Sequence, residues 1–334
     1  MRRAKHLSLL STLDLWGPML EERLGTLAWS IVSDIHSRLK SEVSDEPRLL
    51  TEATRITSLN LVLKCRFSYE KLGLDENEYL FRNLSFEGTR AGISKKNTHD
   101  LAMRIGDSTS LLPETKIQKL SLNDFANLLG WIHSLGSYHL PLSLNHGSFQ
   151  RTLGAYYTPQ SIADYIVNLT MKNGLEQQVR AISKNATSSF EDFLSLRILD
   201  PACGAGVFLI SVANLMQSFT KKAIDKARES GVLKSDIQDI VSTSTSNLYG
   251  VDLDSGALEV ADISLRLLLG NGDGSLPESM FGKTLKNGDS LISFRGLQDK
   301  SNHQRFFREP MNINAFEWQK EFPEIFSETR AGFD

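Results

Sequence analysis

Two cysteines in 334 residues, Cys65 and Cys203, are too few for a disulfide scaffold or a zinc site, and the seven histidines show no paired ligand spacing. No metal is expected. No apolar run approaches the roughly 20 residues that a membrane span needs. The basic start Met-Arg-Arg-Ala-Lys leads into a brief mixed run broken by Asp14, unlike a signal peptide. A cytoplasmic protein is the expectation, with no membrane partner. Basic excess is also lacking: the net charge is −3 and the pI near 6.2, so these residues do not advertise a nucleic-acid surface. What remains is the composition of a globular protein, 40% apolar and 23% charged, long enough for one large or two ordinary domains.

Residues 1 to 150 read as a mainly helical domain and 151 to 334 as a second domain of different character. Apolar periodicity covers Met19 to Leu39 and Glu52 to Tyr69. In Ser121 to Leu135, Ser121 and Asp124 suggest a capping box, Phe125, Leu128, Leu129 and Ile132 form a stripe, and Gly136 stops the helix. His133 reads as a boundary histidine on that helix. Ser85 to Thr98 reads as a loop and His139 to Gly154 as a linker. Asp107 with Glu114-Thr-Lys116 is the only trace of a nuclease signature, a pattern that chance supplies in a chain this long.

The second domain carries the chemistry. Arg197-Ile198-Leu199 reads as a buried strand that ends at Asp200-Pro201, and a glycine-rich turn through Gly204 and Gly206 leads into a helix striped by Leu209, Val212, Ala213 and Met216. Such a turn sets a helix N-terminus and its unpaired N–H groups beside a ligand. It lacks the Gly-x-Gly-x-x-Gly of dinucleotide enzymes and the Gly-Lys-Ser/Thr of a phosphate loop, so a different nucleoside is favoured. Leu248 to Val251 reads as a second strand with Asp252 at its C-terminal edge, where open α/β sheets bind ligands and where a carboxylate can accept both ribose hydroxyls. Asp254 reads as the cap of a helix faced by Leu258, Ala261, Leu265 and Leu268. From Lys221 to Ser246 an extended helix and a surface loop are expected. Upstream, Thr158-Pro159 reads as an N-cap and first-turn proline, with Ile162, Tyr165, Ile166 and Leu169 as the buried stripe behind it. Cys203 reads as a small buried residue packed under the turn.

The string Asp200-Pro-Ala-Cys-Gly-Ala-Gly206 resembles the first motif of the adenine-N6-specific DNA methyltransferases of restriction-modification and phage-defence systems, of the Eco57I type with gamma-type motif order. Alanine replaces the usual serine. Gly154-Ala-Tyr-Tyr-Thr-Pro159, Tyr249-Gly-Val-Asp-Leu-Asp254 and Asn287-Gly-Asp-Ser-Leu291 follow the family's motif order around it. The resemblance covers residues 154 to 334. It implies a Rossmann-like sheet binding S-adenosylmethionine, preceded by the helical domain. By resemblance, Tyr157, Thr158 and Pro159 wall one side of the cofactor pocket. Asp200, Pro201, Ala202 and Gly204 form the turn beneath it, Asp252 takes the ribose, and Asp289 meets the adenine amino group. Gly-Asp-Ser is equally an ordinary turn.

The family's Asn-Pro-Pro-Tyr motif, which follows the fourth strand and holds the target adenine, is absent from these residues. Phe316 to Phe326 and Gly332-Phe-Asp334 resemble the stretch that leads into that strand. The expectation is therefore an N-terminal, SAM-binding portion of a site-specific DNA methyltransferase, truncated before the fourth strand and catalytically incomplete alone, with no catalytic residue of its own. DNA is the expected partner of the full-length enzyme and binds this chain weakly. The alternatives are a non-catalytic interaction module or split-enzyme subunit, completed by a C-terminal polypeptide, and a nicotinamide-dinucleotide enzyme.

Overall fold

The computed structural model describes residues 18–39, 54–63 in part, 114–135, 158–182, 186–231, 247–270, 276–293, 314–327 and 332–334. The chain divides into two compact units: Met1–Ser161 with Gly272–Leu276, and Ile162–Asn271 with Pro277–Asp334.

The first unit is helical among its described residues. Helices α1 (Pro18–Leu39), α2 (Glu114–Gln118) and α3 (Leu122–Ser134) carry its core. Ser121 caps α3 as its sequence indicates: its hydroxyl accepts from the Asp124 N–H at 3.1 Å and donates to Asp124 Oδ2 at 2.6 Å. Phe125, Leu128, Leu129 and Ile132 are all buried. His133 departs from its reading. It is 2% exposed, with Arg55 Nη1 at 3.0 Å from its Nδ1, so this is a core histidine held by a cation 78 residues away in sequence. Gly136, the Ser85 to Thr98 loop, the His139 to Gly154 linker, Cys65 and Asp107 lie outside the described residues.

The second unit is built on three parallel strands, β1 (Ile198–Asp200), β2 (Leu248–Asp252) and β3 (Leu285–Asn287), in the order β1-β2-β3. Ile198 pairs with Leu248, Asp200 with Gly250, Gly250 with Leu285 and Asp252 with Asn287. This is a mixed, helix-rich architecture around a small parallel sheet. Six helices accompany the strands among the described residues: α4 (Gln160–Ile182), α5 (Ala186–Leu194), α6 (Val207–Glu229), α7 (Ser255–Leu269) and the short α8 (Trp318–Glu321) and α9 (Pro323–Phe326).

Helix α6 buries Leu209, Val212, Ala213 and Met216 as its spacing requires, and runs on through the polar segment to Glu229. Helix α4 does not follow its predicted stripe. Tyr165, Ile166 and Leu169 are exposed and Ile162 is half-buried, while Ala163, Val167, Leu175, Val179 and Ile182 face the core. The helix is turned by about one residue from the expected setting. A small residue, Ala163, permits close approach, and the Ser211 hydroxyl of α6 donates to Asp164 Oδ1 at 2.7 Å, fixing the rotation. Strand β1 is half-buried throughout rather than buried, because its second neighbour is not another strand among the described residues. Among the described residues Asp334 adjoins it there: the Asp334 N–H donates to Arg197 O at 2.9 Å, and the Arg197 N–H donates to Asp334 Oδ2 at 3.0 Å.

On one side the sheet is sealed by aromatics. Tyr249 of β2 meets Phe322 and Phe333 edge-on at 5.3 and 5.2 Å, and Phe316 and Trp318 complete the cluster. Lys286 of β3 donates to Glu321 O and lies 5.2 Å over the Phe322 ring, tying α8 to the sheet. Asp262 of α7 accepts from the Met280 N–H at 2.6 Å and the Ser279 hydroxyl at 3.0 Å, anchoring the approach to β3. Burial pushes its carboxyl up, and the Met280 N–H and Arg266 oppose that shift.

Candidate functional site

The three strands end side by side on Asp200, Asp252 and Asn287. The turn after β1 folds across the end of β2. Its Cys203 N–H donates to Val251 O at 3.0 Å, its Gly204 N–H to Asp252 Oδ2 at 2.7 Å, and its Gly206 N–H to Cys203 O at 2.8 Å. Gly206 sits at φ +85, and a β-carbon there would stand 2.9 Å from Ala261 Cβ, so turn and helix α7 approach only because the residue is glycine. Gly250 plays the same part from below. A β-carbon on it would meet Cys203 Sγ at 2.8 Å, Leu285 Cδ2 at 2.8 Å and Leu209 Cδ1 at 3.0 Å. Cys203 is thus packing under the loop, as its sequence position indicates, and burial together with the Asp200 and Asp252 carboxylates pushes its thiol well up. It is not a nucleophile of the thiolate kind.

The two carboxylates differ. Asp252 uses both oxygens: Oδ2 accepts from Gly204 and Oδ1 from the Asp254 N–H at 2.8 Å. Asp200 accepts the Ala202 N–H through Oδ1 at 3.1 Å, whereas its Oδ2 is buried without a hydrogen-bond partner. Burial raises the Asp200 carboxyl above its ordinary value, the Ala202 N–H opposes the shift, and the neighbouring Asp252 charge adds to it. Among the described residues nothing lies within 4 Å of where a Gly204 β-carbon would be, and Pro201 and Ala202 are exposed. The arrangement is a pair of carboxylates beneath a turn that is open at Gly204, at a helix N-terminus.

Residues 246–334 match the family model described as the Eco57I restriction-modification methylase, and residues 177–275 match that of the MmeI DNA-methyltransferase domain. The first match contains β2, β3 and the aromatic cluster, and the second contains β1, the glycine turn and β2. Residues 177–334 are thus similar to the methyltransferase portions of restriction-modification enzymes. A Methanocaldococcus jannaschii protein described as a type II restriction enzyme and methyltransferase is 30% identical over 170 residues, 43% of this chain and 14% of that protein. The type IIL restriction-modification enzyme MmeI, solved in complex with DNA, aligns at 15% identity and a TM-score of 0.41, over 82% of this chain and 41% of that one. The chain thus spans well under two thirds of either relative.

The predicted site residues fall into three groups. Asp200, Pro201, Ala202, Gly204 and Asp252 are brought together at the sheet edge. Asp289 stands beyond β3, where its Oδ1 accepts the Leu291 N–H at 3.0 Å and its backbone bridges to Ala315, so the ordinary-turn reading of Gly-Asp-Ser holds structurally. Thr158 and Pro159 immediately precede α4 and are half-buried, and Tyr157 lies outside the described residues. Asp254 caps α7 as expected, accepting from the Gly256 and Ala257 N–H groups at 2.9 and 3.2 Å.

Two residues escaped the sequence reading. Asn287 donates through Nδ2 to both Asp252 O and Leu253 O at 2.9 Å, and Asn314 Nδ2 donates to Asn287 Oδ1 at 2.8 Å. The signal was an asparagine closing a short strand just before a glycine, which by itself reads as a turn. Among the described residues no cluster of acidic, histidine or cysteine side chains could hold a metal ion, and no helix is long and apolar enough to cross a membrane.

Proposed function

We propose that this chain binds S-adenosylmethionine at the C-terminal edge of the β1-β2-β3 sheet, as the donor portion of an adenine-N6-specific DNA methyltransferase. The observation that carries the reading is the unpartnered, buried Asp200 Oδ2 beneath the open Gly204 rim. An ionised carboxylate left unsatisfied in a low-dielectric pocket is costly unless a positive charge comes near. Bound S-adenosylmethionine supplies such a charge together with a transferable methyl group. Asp200 need not touch it: at about 5 Å and an effective dielectric of about 20, the attraction is on the order of 3 kcal/mol.

Asp252, oriented by the Gly204 and Asp254 N–H groups at the C-terminal edge of β2, is the residue for the ribose hydroxyls. Leu253, half-exposed on the same turn, offers an apolar wall to the adenine ring. The role of Asp289 as acceptor for the adenine amino group rests on the resemblance alone, as do those of Tyr157, Thr158 and Pro159. The parallel strands are read as part of a Rossmann-like sheet, with DNA as the methyl acceptor and a cytoplasmic setting. Adenine as the target base rests on the resemblance of Asp200-Pro-Ala-Cys-Gly-Ala-Gly206 to the adenine-N6 enzymes.

Calorimetric titration of the 334-residue chain tests the donor reading. S-adenosylmethionine is expected to bind saturably while NAD and ATP give no heat of binding. No heat with S-adenosylmethionine, or comparable binding of NAD, would sink the proposal.

A further inference from the structure

We propose that Asn287 is a positioning residue of the donor site, one that sets donor affinity by holding the Asp252–Leu253 turn. The inference rests on the donor-site reading above and extends it to a residue that meets no ligand itself.

Asn287 closes β3 directly opposite Asp252 in the parallel register. At that point the backbone ladder makes its last bond, and the Leu253 carbonyl lies beyond the donors that the strand supplies. The Gly288 N–H reaches Asp252 O at 3.0 Å, and the Asn287 amide supplies the rest, one N–H for each carbonyl at 2.9 Å. Its oxygen is committed in turn to Asn314 Nδ2 at 2.8 Å. A primary amide is the one side-chain group of this length that meets the whole demand. An aspartate would aim acceptors at two acceptors, and an aliphatic residue would supply nothing. The partners also fix which way the amide points, because carbonyl oxygens cannot donate.

The clamp acts on the ligand-facing group. The peptide it holds also contains Asp254, whose N–H fixes Asp252 Oδ1, while Gly204 fixes Oδ2. The carboxylate orientation is therefore set by three elements at once: β3 through Asn287, α7 through its capping turn, and the glycine turn. Asn314 extends the relay further, since its carbonyl accepts the Asp289 N–H at 2.7 Å. One amide pair thus connects the turn that carries the ribose carboxylate to the turn that carries Asp289.

The test uses calorimetry on the full chain with two probes, S-adenosylmethionine and its 2′-deoxyribose analogue. Asn287→Ala is expected to weaken S-adenosylmethionine about tenfold, and the penalty for removing the 2′-hydroxyl, seen in the parent, should shrink in the variant because Asp252 is no longer aimed. Asn287→Asp should not rescue binding. Asn314→Ala, which removes only the outer amide, should lose about threefold, and it carries the test if Asn287→Ala fails to melt cooperatively. Binding of S-adenosylmethionine by Asn287→Ala within twofold of the parent overturns the inference. So does an equal loss for both probes, the mark of general loosening. A parent that binds no S-adenosylmethionine removes the donor reading and this inference together, whereas a binding parent with unaffected variants removes this inference alone.

Discussion

Asp200 and Asp252 are the same side chain at the ends of adjacent strands, yet the fold treats them in opposite ways. Asp252 is part of the frame, with each oxygen accepting a backbone N–H from a different turn. Asp200 is left with one oxygen buried and unpartnered, close enough to Asp252 for the second charge to raise its carboxyl further. Asp252 is thus held in a fixed orientation by the fold, whereas Asp200 is held through one oxygen alone. A carboxylate that a fold needs is satisfied by the fold, and one that the fold leaves unsatisfied is waiting for something else.

The contrast can be broken by force at the turn that links the two. Gly206→Ala places a side chain at positive φ and against Ala261, and should cost about 3 kcal/mol in chemical denaturation. A loss below about 1 kcal/mol would mean that the turn is not packed as described. Asp252→Asn turns one accepting oxygen into a donor facing a backbone N–H, with an expected loss of about 2 kcal/mol. Removing the α7 cap with Asp254→Ala should cost about 1 kcal/mol, read in the same assay.

Asp200→Asn should cost nothing or stabilise, since it removes a buried charge while keeping an acceptor for Ala202. Its sign with pH follows from the raised carboxyl. The folded protein holds the Asp200 proton more tightly than the unfolded chain does, so ionisation penalises folding above the folded value, and the penalty fades as pH falls towards the model-peptide value of 3.8. The stability advantage of Asp200→Asn over the parent should therefore be largest near neutral pH and shrink on acidification. An advantage that grows on acidification would contradict the burial described here. Asp262, also raised by burial, is common to both proteins and cancels in the difference.

What the sequence made legible was local. The β1–turn–α6 unit, the Asp254 cap, the Ser121 capping box and the buried Cys203 each declare themselves within a few residues, because caps, glycine turns and apolar stripes are short-range chemistry. What stayed hidden depends on neighbours far along the chain. The rotation of α4 could not be read, because large apolar residues stand on one face and Ala163 and Val167 on another, and the packing partner decides between them. His133 needed Arg55, 78 positions away, and Asn287 needed the register that sets it beside Asp252. The acidic site residues were visible by type and motif, but which of their oxygens the fold satisfies was not, since that depends on which N–H groups fold back onto them.

The central claim is that Asp200 is kept for a cationic donor. Its most direct test is calorimetric titration of S-adenosylmethionine into the parent and into Asp200→Asn at neutral pH. The account predicts that the variant, although folded and at least as stable, binds at least about tenfold more weakly. Affinity within twofold of the parent would contradict it.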